Sequence, residues 1–88
     1  MEKEKLRKRE NLLYREIDGE GVIYDQENMK VHSLNPTATM IWRYCDGKNT
    51  IEDIKEKILE KYDVDPDTLK EDIQKAVTDL RTLKLLKE

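Results

Sequence analysis

Asn35-Pro36 divides this chain into two hydrophobic rhythms. An asparagine followed by proline is a helix-start signal. The asparagine side chain can accept a hydrogen bond from the first turn, and proline at the first helical position loses nothing by lacking an N–H. Downstream, apolar residues recur every three to four positions. Upstream, they come in short runs cut by turn residues. A period that changes from 2 to 3.6 at one point calls for a sheet first and helices afterwards. The expected fold class is α+β, a three-stranded antiparallel sheet followed by three helices in the order β-β-β-α-α-α.

In the upstream part, residues 12–17 carry Leu12, Leu13, Tyr14 and Ile17 among charged neighbours. Asp18-Gly19 is a tight-turn dipeptide, since both residues tolerate positive φ. Val22, Ile23 and Tyr24 form a β-branched and aromatic second strand. Residues 25–28 are a polar turn, and residues 29–34 read as a third strand. Connections this short permit only antiparallel pairing, because parallel strands need long crossovers. Such a sheet requires cover on one face.

The helices supply that cover. Ala38, Ile41, Trp42 and Cys45 form the stripe of the first helix, which Asp46-Gly47 is expected to end, with Gly47 in a left-handed cap. Thr50 caps the second helix and Asp53 nearly completes a capping box. Its expected buried stripe is Ile51, Ile54, Ile58, Leu59 and Tyr62. Asp65-Pro66 repeats the start signal for a long third helix with the stripe Leu69, Ile73, Ala76, Val77, Leu80 and Leu83. Leu85 and Leu86 should pack back on the core. Residues 12–88 are thus one domain. Residues 1–11 read as a charged, flexible tail in which only Leu6 could act as an anchor.

Several function classes lack the residues they need. A chain of 88 residues makes one small domain with a thin core, too thin for a sizeable cofactor pocket. Lys and Arg number 17 against 20 Asp and Glu, a net charge of −3, which suits neither nucleic acid nor an anionic membrane surface. No apolar run reaches a membrane-spanning length and no signal-peptide region follows the N-terminal charges, so a cytoplasmic location is expected. The single Cys45 agrees with a reducing compartment. With one histidine, His32, and one cysteine, a Cys/His dyad is the sole nucleophilic option. A free cysteine on an apolar stripe is better read as a small core residue. A zinc site needs about four ligands, and phosphate-binding glycine loops are absent. Carboxylates alternate with lysines as on solvated helix faces. The expectation is a binding module without catalytic residues, cofactor or metal.

The feature that points to binding is a sheet edge. One flank of residues 29–34 pairs with the second strand. The other has no strand left to pair with, since everything after it is helical. A bare edge exposes N–H and C=O groups to any extended chain. Lys30 suits a guard against aggregation, whereas strand addition by a peptide is the functional reading. The candidate peptide-binding residues are therefore Met29, Lys30, Val31, His32, Ser33 and Leu34. A second wall is expected from the third helix, with Leu69, Ile73 and Ala76 as an apolar floor and Asp72, Lys75 and Asp79 along the rim. Alternation places Leu34 and His32 on the helix-facing side.

The run KVHSLNPTATMIWRYCDGKNTIEDI followed by YDVDPDTLKEDIQKAVTDLRTLKLL resembles the PqqD family. The resemblance rests on the order and spacing of Leu34, Asn35, Ala38, Ile41, Trp42, Asp46, Gly47, Thr50, Ile51, Leu85 and Leu86. It implies a winged helix-turn-helix-like domain acting as a recognition element for ribosomally made, post-translationally modified peptides. Such domains bind the leader segment of a precursor peptide along the third strand and third helix. They present it to a modifying enzyme: a radical-SAM protein in pyrroloquinoline quinone biosynthesis, or the protease and cyclase of a lasso-peptide pathway. With a core this thin, no cofactor is expected. A monomer or weak homodimer is expected. The alternative is a winged-helix DNA-binding regulator. Its recognition helix would carry Lys70, Lys75 and Arg81 against Asp67, Glu71, Asp72 and Asp79, a net of −1 that is ill suited to neutralising phosphates.

Overall fold

The computed structural model describes residues 4–87. Strand β1 (Leu12–Ile17) pairs antiparallel with β2 (Glu20–Asp25), which pairs antiparallel with β3 (Lys30–Ser33), in the order β1-β2-β3. Helices α1 (Pro36–Arg43), α2 (Ile51–Lys61) and α3 (Pro66–Thr82) follow. The α+β layout is as the sequence predicts.

Each connection has a local cause. Asp18 and Gly19 both take positive φ, 51° and 81°, the conformation that matches a two-residue turn to the twist of its strands. In the next turn the Asp25 carboxylate accepts from the Glu27 and Asn28 amides and from Asn28 Nδ2. Asn28, together with Arg9 at 2.7 Å, holds that buried carboxyl well below the usual carboxylate range. Met29 closes the turn at φ 54°, so β3 starts one residue later than predicted. Asn35 Oδ1 accepts from the Ala38 amide, Thr50 and Asp53 complete a reciprocal capping box, and Asp65 accepts from the Thr68 amide. Helix α1 ends sooner than its stripe suggests, with Tyr44 as its C-cap.

The core gathers Ile23, Leu34, Ile41, Trp42, Cys45, Ile54, Ile58, Ile73, Val77, Leu80 and Leu85 between the sheet and the helices. Helix α3 packs on α1 and α2, and α1 packs on β2. Tyr62 and Leu83 depart from the predicted stripes: they stand 49% and 42% exposed, because each sits at the C-cap of its helix, where the stripe runs off the core.

The predicted tail is where the structure differs most. Residues 1–3 lie outside the described residues. From residue 6 on, the segment is packed. Leu6 is 2% exposed; its N–H donates to Asn49 O and its C=O accepts from the Gly47 amide. Arg9 N–H donates to Leu85 O, and Lys87 N–H to Arg7 O. Gly47 is not the cap of α1. Its φ of 83° turns its amide onto Leu6, and a Cβ there would lie 3.0 Å from the Arg7 guanidinium. The segment thus threads between the α1–α2 turn and the C-terminus, and its charge pattern conceals this.

Candidate functional site: the free edge of β3

The phase of the β2–β3 ladder decides what the edge offers. Leu34 N–H donates to Gly21 O at 2.8 Å, so Leu34 faces β2. Backbone groups alternate sides along an antiparallel strand. In the register Ile23↔His32 and Asp25↔Lys30, His32 and Lys30 therefore also bond to β2. Val31 and Ser33 turn their N–H and C=O groups outward, away from the sheet. No strand among the described residues pairs with that side.

The end of the ladder is fixed by a buried hydroxyl. Thr39 Oγ1 accepts from Gly21 N–H at 2.7 Å and donates to Leu34 O at 3.3 Å. It takes the place of a direct bond and ties the first turns of α1 to the exit of β3. Gly21 is required here, because a Cβ would meet the Tyr14 ring at 2.8 Å. Tyr14 in turn packs on Trp42, with ring centroids 6.1 Å apart.

Between the β3 exit and α3 lies a groove of about 340 Å³ that includes Ser33, Leu34, Asp72, Lys75, Ala76 and Asp79. The structure thus brings six of the predicted residues together. Lys30 and His32 line an adjoining hollow of about 260 Å³ with Asp25, Asn28 and Lys84, and Leu83 borders both spaces. Met29 and Val31 lie outside both spaces, 77% and 64% exposed; Val31 contributes its backbone, not its side chain, to the edge. Ile73 is wholly buried and Leu69 nearly so, so neither lines the groove; they are core residues beneath it. Asn35, Thr37, Ala38, Leu80 and Leu83 complete the groove wall. The helical stripe assigns the last two to the core, and it does not single out Thr37, whose signal is its exposed place in the first turn of α1.

Charge along the cleft is uneven. Asp72 and Asp79 flank Lys75 at the Leu34 end, while Lys30 and Lys84 stand at the other. Asp25, nearby, is already engaged by Arg9. Carboxylates on α3 make that helix a poor phosphate-binding surface.

Cys45 has no part in the cleft. It is fully buried, its thiol donates to Ile41 O, and burial pushes its pKa up to about 12, which keeps it a protonated core residue. Among the described residues, no group of three or more His, Cys, Asp or Glu could hold a metal ion, and no helix is long and apolar enough to cross a membrane.

Comparison with known proteins follows the same outline. The family model described as coenzyme PQQ synthesis protein D, PqqD, matches residues 20–86. No curated protein matches the chain. Among solved structures, TbiB1 in complex with the TbiA(beta) leader peptide superposes with a TM-score of 0.81 at 22% identity, covering 92% of this chain and 94% of that one. Lasso peptide synthetase B1 complexed with the leader peptide gives a TM-score of 0.81 at 21% identity, covering 96% and 99%. At these identities the likeness establishes a shared fold.

Proposed function

From the chain's place in the PqqD family, to which it belongs, and from the bare edge of β3, we propose that it captures the leader segment of a ribosomally made precursor peptide and presents it to a modifying enzyme. The observation that carries this reading is the pair of outward-facing backbones at Val31 and Ser33, beside a groove walled by α3. An extended peptide laid antiparallel on that edge gains up to four backbone hydrogen bonds, two from each residue. Its alternate side chains then fall into the cleft between β3 and α3, where Lys30, His32 and Leu34 also point. Backbone pairing supplies affinity without sequence preference; the cleft supplies selectivity. In this reading the protein is non-catalytic and works in the cytoplasm, and its partner enzyme is of the radical-SAM or lasso-peptide protease and cyclase type. Two complexes of proteins with this fold, each with a leader peptide, support it.

The test begins with the gene's surroundings, where a short peptide frame beside a modifying-enzyme gene supplies the leader to synthesise. Titrated into the isotope-labelled full chain, that leader should shift the Val31 and Ser33 amides and slow their hydrogen exchange, leaving β1 amides unmoved. Protection of both amides in the free chain, or unshifted β3 resonances at saturating leader, would refute the reading.

A further inference from the structure

A second cavity, of about 360 Å³, opens where α1, α2 and α3 meet. Ile58 and Leu69 form its buried floor, Met40 one half-buried wall, and Tyr62 and Val64 its rim. Asp65 is engaged in capping α3, where it accepts from both the amide and the hydroxyl of Thr68. Thr37 and Asp72 stand where the cavity borders the cleft beside β3. The rest of the lining, Met40, Ile58, Tyr62, Val64 and Leu69, is largely apolar and suits an apolar group. The rim is also unusual. Tyr62 and Val64, 49% and 43% exposed, place large apolar surface in solvent around a hollow, which the hydrophobic effect disfavours unless the hollow is filled.

The cavity adjoins the cleft beside β3, since Thr37 and Asp72 line both. That shared border also fixes direction. The shared boundary lies past Leu34, at the C-terminal end of β3. A peptide antiparallel to β3 has its N-terminal side there. We propose that this cavity is an anchor site for one large aliphatic or aromatic side chain of the bound peptide, lying N-terminal to the segment that pairs with β3. The inference rests on the strand-addition reading and adds a second recognition element to it. Edge pairing alone fixes neither register nor identity, because backbone groups repeat every two residues. A single apolar anchor upstream fixes both.

The experiment works whatever the sequence of the natural peptide. An mRNA-displayed library of random 20-residue peptides is selected in parallel on the immobilised wild-type chain and on Val64→Glu, with Tyr62→Ala as a second variant. Both positions are half exposed, and thermal melts check that each variant is folded. Peptides selected on wild type should carry a large apolar residue upstream of the segment that shifts the Val31 and Ser33 amides, and those selected on Val64→Glu should not. Replacing that residue with alanine should weaken binding to wild type about tenfold and to Val64→Glu less than twofold. Equal losses on both proteins, or apolar preference confined to the strand-pairing segment, would overturn the anchor while leaving strand addition standing. Selected peptides that leave Val31 and Ser33 unmoved would overturn both. Self-association of the free chain that Val64→Glu abolishes would assign the cavity to a second copy and also overturn the proposal.

Discussion

Two neighbouring residues of β3 should respond oppositely to proline. The Val31 N–H points to the free edge and the His32 N–H to β2, a phase fixed by the Leu34–Gly21 bond. Proline is tolerated on an edge strand where its missing N–H would face outward, and removes a ladder bond where it faces inward. Val31→Pro should therefore fold, yet bind leader poorly. It deletes one of four possible edge bonds, and its ring leaves the guest carbonyl unpaired. A lost bond with a stranded partner costs about 1.4–2.8 kcal/mol, or about tenfold to a hundredfold in Kd. His32→Pro strands the Ile23 carbonyl inside the sheet instead, and should cost about 1–3 kcal/mol of folding stability. Urea unfolding followed by circular dichroism measures the second effect, and titration calorimetry with the leader peptide measures the first. A folded Val31→Pro that binds within threefold of wild type would refute the edge assignment. A reversed pattern, with Val31→Pro the less stable, would show that the phase is wrong.

Other perturbations probe the parts that hold this edge in place. Thr39→Val leaves the Gly21 amide without an acceptor and should lower unfolding free energy by about 1–3 kcal/mol, measured by urea titration. Leu6→Ala should cost about 2–5 kcal/mol, because Leu6 is buried in the core; a loss below 0.5 kcal/mol, about that of a surface change, would restore the flexible tail. The Arg43 guanidinium and the Tyr14 hydroxyl hold the Glu16 carboxyl at about 2, against an ordinary 4.5. A depressed carboxylate stabilises the fold above its unfolded pKa and loses that contribution as the pH falls toward the folded value. The melting temperature of wild type should therefore exceed that of Glu16→Gln at pH 6, and the gap should close between pH 4.5 and 2. Lys75→Glu, on the groove rim, should change leader affinity by about threefold, with an effect that shrinks in high salt.

What is legible in the sequence is whatever local chemistry decides. Asp18-Gly19, Asn35-Pro36, the Thr50/Asp53 pair and Asp65-Pro66 each satisfy or pre-set a backbone group within four residues, and all appear where the pattern places them. The packing of the N-terminal segment is illegible for the complementary reason. Between Lys5 and Asn11, Leu6 is the lone apolar residue among charges, and nothing local reveals that its amide and carbonyl meet Asn49 and Gly47, more than 40 residues away. Leu69 and Ile73 fall beneath the groove rather than in it because a helical stripe names the buried face but not its depth. In α3 the residues one step round, Asp72, Lys75 and Asp79, form the groove wall with Ala76, Leu80 and Leu83 from the edge of the stripe, while Leu69 and Ile73 lie below.

The edge itself is legible by elimination: after Pro36 no strand remains to cover β3. Its phase is not. Whether Val31 or His32 presents its backbone outward depends on how β2 meets β3, and that shows at one end of the ladder, where Leu34 pairs with Gly21 and the Thr39 hydroxyl fills the remaining place. A side chain from α1 thus closes the ladder that leaves Val31 and Ser33 free, and α1 begins where it does because Asn35 and Pro36 start it. The dipeptide that divides the chain into sheet and helices therefore also positions the binding edge. A change there, such as Pro36→Gly, should disturb leader binding through Thr39 without touching a residue that lines the groove. The expected signature is a faster-exchanging Gly21 amide in the free protein together with weakened leader affinity. Weakened affinity with Gly21 exchange unchanged would break that chain of cause.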